Sequence, residues 1–266
     1  MRLLIFCLFV LSSGSILAQN AINQIDAKGQ KQGLWSKKDA DGKLLYQANF
    51  KDDKPIGEMK RFHSNGKLKA IMNFTEGNEI SEAQLFDETG MLIARGKYKG
   101  QKKTGEWTYL LYSKVISTET YVAGQKTGTG KRFYKTGELL EESNWQNNKL
   151  HGIYRTYFQD GKPFLECNYS GGRRSGTFKT WFPNGQPELD ASYQNDARDQ
   201  DWKYFDQEGN LLYTLIFDLG KLLNPEVQDS IDKIKSVIFK PRGDSIPDPE
   251  KFIQNPEEYM RLMQNR

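Results

Sequence analysis

The stretch FLECNYSGGRRSG, residues 164–176, gathers the side chains of a reactive centre: a thiol at Cys167, a glycine pair, and two cations, Arg173 and Arg174. A thiolate beside guanidinium groups is a nucleophile near neutral pH. The obvious acid–base groups are two histidines, His63 and His151, which stand 88 residues apart. Gly128 to Lys131, GTGK, invites a phosphate-loop reading, but that loop needs glycine at 125 and Ser or Thr at 132. Gln125 and Arg132 occupy those places. Cys167 and two separated histidines form no metal-ligand cluster, and nothing here implies a cofactor.

Whether Cys167 and its arginines form a site depends on what positions them, and that is a repeat. Turn glycines recur at Gly42, Gly66, Gly90, Gly137, Gly161, Gly185 and Gly209, spaced 24, 24, 47, 24, 24 and 24 residues apart. An aromatic keeps the same beat at Phe50, Phe74, Tyr98, Tyr121, Trp145, Tyr169, Tyr193 and Phe217. A third mark opens most units: Gly33, Gly57, Gly105, Gly128, Gly152 and Gly176, with Ser81 and Gln200 at the two remaining openings. Self-similarity at a fixed period marks a stack of supersecondary units. Eight units of about 24 residues therefore run from about residue 33 to 220.

Each unit reads as a strand, a tight turn, a second strand and a looser turn. Leu44, Tyr46, Ala48 and Phe50 alternate with polar residues, the period of a half-buried strand. Asn65-Gly66 and Asn184-Gly185 are the composition of primed hairpin turns, in which both central residues take positive φ. The expected fold is mainly β: an elongated antiparallel hairpin meander of sixteen strands, with a short helical tail. Glycine, one residue, aromatic, turn glycine, aromatic and a lysine-bearing turn together resemble the MORN repeat in its bacterial variant form, some members of which are labelled antitoxin-like. The resemblance implies an open, curved hairpin sheet and a role in binding or scaffolding.

Set in phase, the apparent site dissolves. Cys167 falls where Ala48, Gly96, Ser143 and Ala191 lie, which makes it a small packed side chain. His63 shares its place with Tyr134, Phe158 and Phe182, and His151 lies in a loose turn. What persists is a basic row on one edge: Lys54, Lys102, Lys149 and Arg173, with Lys103, Lys126, Arg174 and Arg198 beside them. The bland reading of that row is solubility, with Asp52, Asp53 and Asp196 diluting it; the functional one is contact with an anionic partner. Trp107, Tyr154, Trp181 and Trp202 are candidate aromatic anchors for recognition, with packing of the sheet as their other role. Unit four has lost a residue and its turn glycine, and it places Glu119 where alternation calls for a small or apolar side chain. That carboxylate needs a partner or a bulge.

The termini depart from the beat. Residues 1–18 carry Arg2, an apolar run from Leu3 to Leu11 and small residues up to Ala18, the layout of a cleaved secretory leader. Cys7 leaves with it, so Cys167 has no intramolecular disulfide partner. Residues 19–32 read as a polar lead-in. Residues 221–266 read as a helical cap or tail: Asn224-Pro225-Glu226 starts one helix with Val227, Ile231, Ile234 and Ile238 on a face, and Asn255-Pro256-Glu257 starts another with Tyr259, Leu262 and Met263. No second apolar run is long enough for a transmembrane segment. A net charge of +4, from 38 basic and 34 acidic residues spread along the chain, gives no case for nucleic acid. The reading is a non-catalytic, monomeric, periplasmic or secreted protein whose sheet face or basic edge engages a protein or other anionic envelope macromolecule. The alternative is an enzyme or small-ligand receptor with a pocket in the sheet near unit four.

Overall fold

The structure, a computed structural model, describes residues 22–77, 79–238 and 258, without the side chains of 234–238. The leader, the side chains of Ile234 and Ile238, and the second helix start lie outside the described residues.

The described residues form one open antiparallel sheet of nineteen strands that pair in chain order, except that Gln125–Lys126 and Gly128–Phe133 both pair with Lys114–Val122. Sixteen are the expected pair per unit, from Lys31–Lys38 to Leu211–Asp218. The others are two-residue pieces: Gln24–Ile25 in the lead-in, Gln125–Lys126 where Thr127 interrupts a strand, and Lys221–Leu222 after the last unit.

The two turn classes exchange the roles expected of them. At the Asn-Gly turn, Gly66 N–H donates to His63 O at 2.9 Å and His63 N–H to Lys67 O at 2.9 Å, which leaves three residues in the loop. Only Gly66 has positive φ there, at 83°. This is a type I turn closed by a glycine bulge. Asn65 contributes its side chain instead, accepting from Lys67 N–H at 3.0 Å and donating to Glu88 O in the next unit's turn at 2.9 Å. The primed turns are the supposedly loose ones. Asp52-Asp53 (φ 49° and 64°), Asn147-Asn148 (51° and 66°) and Asn195-Asp196 (51° and 70°) each join strands through two residues. Asp and Asn reach that region because their short side chains bond locally. Here they bond to the neighbouring unit: Asp53 N–H donates to Lys31 O at 3.2 Å, and Lys31 N–H returns to Asp53 Oδ1 at 2.9 Å. Asn148 with Lys126 and Asp196 with Arg174 repeat the exchange.

The opening glycine lies directly across from the repeat aromatic of its own unit, as in Gly57 with Phe74 and Gly152 with Tyr169. Both glycines have positive φ, and on their other side the ladder slips in a bulge. In unit three, Ser81 lacks positive φ and its strand pairs with the preceding one without a slip. Gln200 holds the glycine conformation at φ 63°, a strained place for a side chain.

Two residues after the opening position comes a large side chain set against a small one: Trp35 across from Ala48, Tyr154 from Cys167, Phe178 from Ala191. Alternating large and small partners lets one face interdigitate. Cys167 is accordingly fully buried. The main core spans units six to eight around Phe164, Phe178, Leu189 and Trp202, with a second around Ala83, Ala94 and Trp107.

Helix Pro225–Ile238 packs Val227 and Ile231 on the main core. Asn224, expected to cap the helix, turns its side chain to the last long strand, Leu211–Asp218, instead: Oδ1 accepts from Ile216 N–H at 2.8 Å and Nδ2 donates to Thr214 O at 2.9 Å.

Candidate functional site

The basic row resolves into two, because neighbouring residues of a strand face opposite ways. Lys54, Lys102, Lys149 and Arg173, the first residues after the primed turns, are exposed and make no ion pair among the described residues. Lys103, Lys126, Arg174 and Arg198, one residue on, fold inward over the aromatic face. Lys126 Nζ stands 3.9 Å from the centroid of Trp145, the Arg174 guanidinium 4.0 Å from Tyr193, and that of Arg198 4.4 Å from Trp202. Each such contact is worth roughly 0.5–2 kcal/mol, depending on desolvation. Lys31, in the same phase but overlooked in the sequence, covers Trp35 at 4.8 Å and Phe50 at 5.0 Å. Its position two residues before Gly33 was the available signal.

The anchors separate likewise. Trp107, Tyr154 and Trp202 are buried and cannot meet a partner, while Trp181 is half-exposed. Each tryptophan of the buried pair sends its indole N–H to a carbonyl at the bulge of the preceding strand, Trp107 to Lys97 O at 3.0 Å and Trp202 to Ser192 O at 3.1 Å. These rings pack the sheet.

Glu119 has both a partner and a setting. It stands across from Trp107 and receives Lys126 Nζ at 2.8 Å and the Tyr121 hydroxyl at 2.5 Å. Tyr121 meets Tyr109 at 3.3 Å, and Lys103 Nζ donates to the Tyr109 hydroxyl at 2.7 Å. Lys103 itself lies 4.5 Å from the Trp107 centroid and about as far from the rings of Tyr109 and Tyr121. Burial raises the Glu119 carboxyl, but the bonds from Lys126 and Tyr121 outweigh it and hold the group below the usual carboxylate range. Burial lowers Lys103 and raises Tyr109 and Tyr121. The network fits because unit five carries Gly130 where five other units place a ring, so Lys126 and Trp145 lie over it. Tyr109 and Tyr121 were missed as partners of Glu119, although Tyr121 is a beat aromatic.

The histidines contribute no shared site. His63 bonds Phe86 O at 2.9 Å through its ring, joining two turns, and His151 lies exposed in strand Lys149–Tyr157. An open groove of about 830 Å³ lies over units two and three, floored by Ala70, Met72, Leu85 and Tyr98 with Arg61 at its side. Glu119 does not line it.

Fold and faces define a hairpin-repeat protein: a single sheet with a packed cationic and aromatic face and an exposed basic edge. Residues 31–52, 55–76, 126–147, 150–170 and 174–195 match the family described as MORN repeat variant. The unmatched units are three, four and eight, those with Ser81, the lost residue and Gln200. No curated protein matches the chain. Among solved structures it is similar to a mutant of S. aureus TarM in complex with Fondaparinux, alpha-GlcNAc-glycerol and UDP (14% identity, TM-score 0.21, 41% of this chain and 19% of that one). It is also similar to a crystal structure of TarM (17% identity, TM-score 0.20, 48% and 21%). The chain spans about a fifth of the length of those solved chains. Among the described residues no helix is long and apolar enough to cross a membrane.

Proposed function

We propose that this is a non-catalytic, extracytoplasmic repeat protein that binds or scaffolds a protein or other anionic macromolecule of the envelope through its basic edge. The observation that carries this reading is the row Lys54, Lys102, Lys149 and Arg173: exposed, on one edge, and without ion pairs among the described residues. Units repeat every two strands, so successive members such as Lys149 and Arg173 recur at about 9.6 Å, a regular ladder for a long anionic surface. The inner cations are engaged with aromatic rings and leave this role to the outer row. An antitoxin-like activity, for an exported chain, requires an envelope or interbacterial effector as its target.

The test is capture of partners by the mature protein from envelope extract at low and high salt, beside a variant with all four cations changed to Glu. The expected result is a partner held at low salt, released at high salt and not held by the variant. Recovery of no partner, or recovery insensitive to both salt and charge reversal, refutes the reading.

One observation favours a second reading, a small-ligand receptor. Arg132 is paired with Glu141 at 3.0 Å, whereas Arg61 at the equivalent place in unit two faces Ala70 and makes no ion pair among the described residues. An unneutralised guanidinium beside an apolar groove suits a small anionic amphiphile. Calorimetric titration with dodecanoate, repeated with Arg61→Ala, tests it; equal heats for both proteins dismiss it.

A further inference from the structure

A one-dimensional repeat array has two ends, and each end strand carries backbone groups that the next unit would have paired. Here both ends are finished in the same way. Asn224 stands 24 residues after Gln200, at the opening position of a ninth unit. That unit begins normally: Lys221–Leu222 pairs with Phe217 and Asp218, and Leu223 N–H donates to Ile216 O at 2.8 Å. It then stops at Pro225, where the helix starts. Between units seven and eight Asp190 pairs with Lys203, and the equivalent partner for Thr214 would be residue 227, which is helical. The Asn224 amide takes that strand's place, receiving Ile216 N–H and donating to Thr214 O.

At the other end Asn23 does the same for the first long strand. Its Oδ1 accepts from Ser36 N–H at 2.8 Å, its Nδ2 donates to Ser36 O at 3.1 Å, and its backbone N–H donates to Leu34 O at 2.8 Å. A carboxamide carries the same donor and acceptor as a peptide unit, so one side chain supplies both halves of a ladder rung.

We infer that these two asparagines hold shut a pair of mutually complementary edges, and that the surface they cover is fitted to a second copy of this chain. The last long strand is the second strand of a unit, and its natural neighbour is the first strand of a unit. A second copy offers that strand in Lys31–Lys38, once Gln24 and Ile25, which pair with Gln32 and Lys31 in the single chain, give way together with Asn23. The repeat fixes the register: as Asp190 opposes Lys203 within the chain, Thr214 of one copy opposes Ser36 of the next. Such a contact is heterologous and head-to-tail, so it does not close. With both amides in place the chain remains a single array.

Size-exclusion chromatography with light scattering on the mature protein tests this. The wild type is expected at the mass of one chain, and Asn23→Ala combined with Asn224→Ala at a range of masses that rises with concentration. Adding Ser36→Pro removes the N–H that the neighbouring copy must use, without touching the inner ladder, and is expected to restore the single-chain mass. Hydrogen exchange provides a readout independent of assembly: the Ile216 amide is expected to exchange at least about ten-fold faster in dilute Asn224→Ala. A wild type that already associates overturns the inference. So does a folded double variant that remains a single chain, an association that survives Ser36→Pro, or an Ile216 amide unchanged by Asn224→Ala.

Discussion

Replacing Gly96 with alanine is the sharpest test of how the packed face is built. Trp107 is fully buried, and its indole lies on the backbone of the preceding strand at Gly96. A Cβ there would meet three indole atoms at 2.3–2.6 Å, far inside contact distance, and two of them are the ring-fusion atoms Cδ2 and Cε2, not a flexible end. The ring has nowhere to go: Tyr98 stands edge-on at 4.9 Å, Lys103 covers it at 4.5 Å, and its N–H is bonded to Lys97 O. If the backbone gives way slightly, the cost is that of overpacking, about 1–3 kcal/mol. If the indole is expelled, the loss approaches that of deleting a buried tryptophan, about 3–5 kcal/mol. Gly96→Ala is therefore expected to destabilise units three and four by about 1–5 kcal/mol, read by urea denaturation and by amide exchange in residues 81–121. A smaller ring should relieve the clash, as Phe178 packs beside Cys167 with both side chains buried. Gly96→Ala with Trp107→Phe is expected to recover at least half of the loss. A single variant within about 0.5 kcal/mol of wild type, or a double variant no better than the single, would refute the account of the face.

Gln200→Gly is expected to raise stability by roughly 1 kcal/mol in urea, since it relieves the positive φ, while Gly152→Ala, at φ 88°, should lower it by a similar amount. Glu119 ionises more readily in the folded protein than its ordinary 4.5, so its contribution is complete above that pH and is lost as pH falls through the lowered folded value. Acid titration of thermal stability should show this loss in wild type and a shallower one in Glu119→Gln. Asp53→Ala removes the acceptor for Lys31 N–H and is expected to cost about 1 kcal/mol in unit one, seen as faster exchange at the Lys31 amide.

Most of the architecture was legible because period is a property of the sequence. Three marks in phase located the units, and alternation located the strands and the buried place of Cys167. The turn chemistry was misjudged because Asn-Gly satisfies two different turns. A glycine bulge needs positive φ at one residue, and the Asn side chain then bonds across to the next unit. Dipeptide composition does not distinguish these cases; the ladder register on either side does. The exposed role offered for Trp107 and Trp202 failed for a related reason, since the bulge carbonyls that receive their N–H groups come from the preceding unit.

The sequence by itself determined the number of units, the places of their turns and aromatics, and the point near residue 220 where the array stops. Those features depend on spacing along the chain. Tertiary structure decided which of two adjacent cations faces solvent and which covers a ring, how Glu119 is neutralised, and how the two ends are closed. Each of these depends on strand register and on the sign of φ at a bulge. Lys102 and Lys103 are alike in type and place, and only the pleat sends one outward and the other over Trp107.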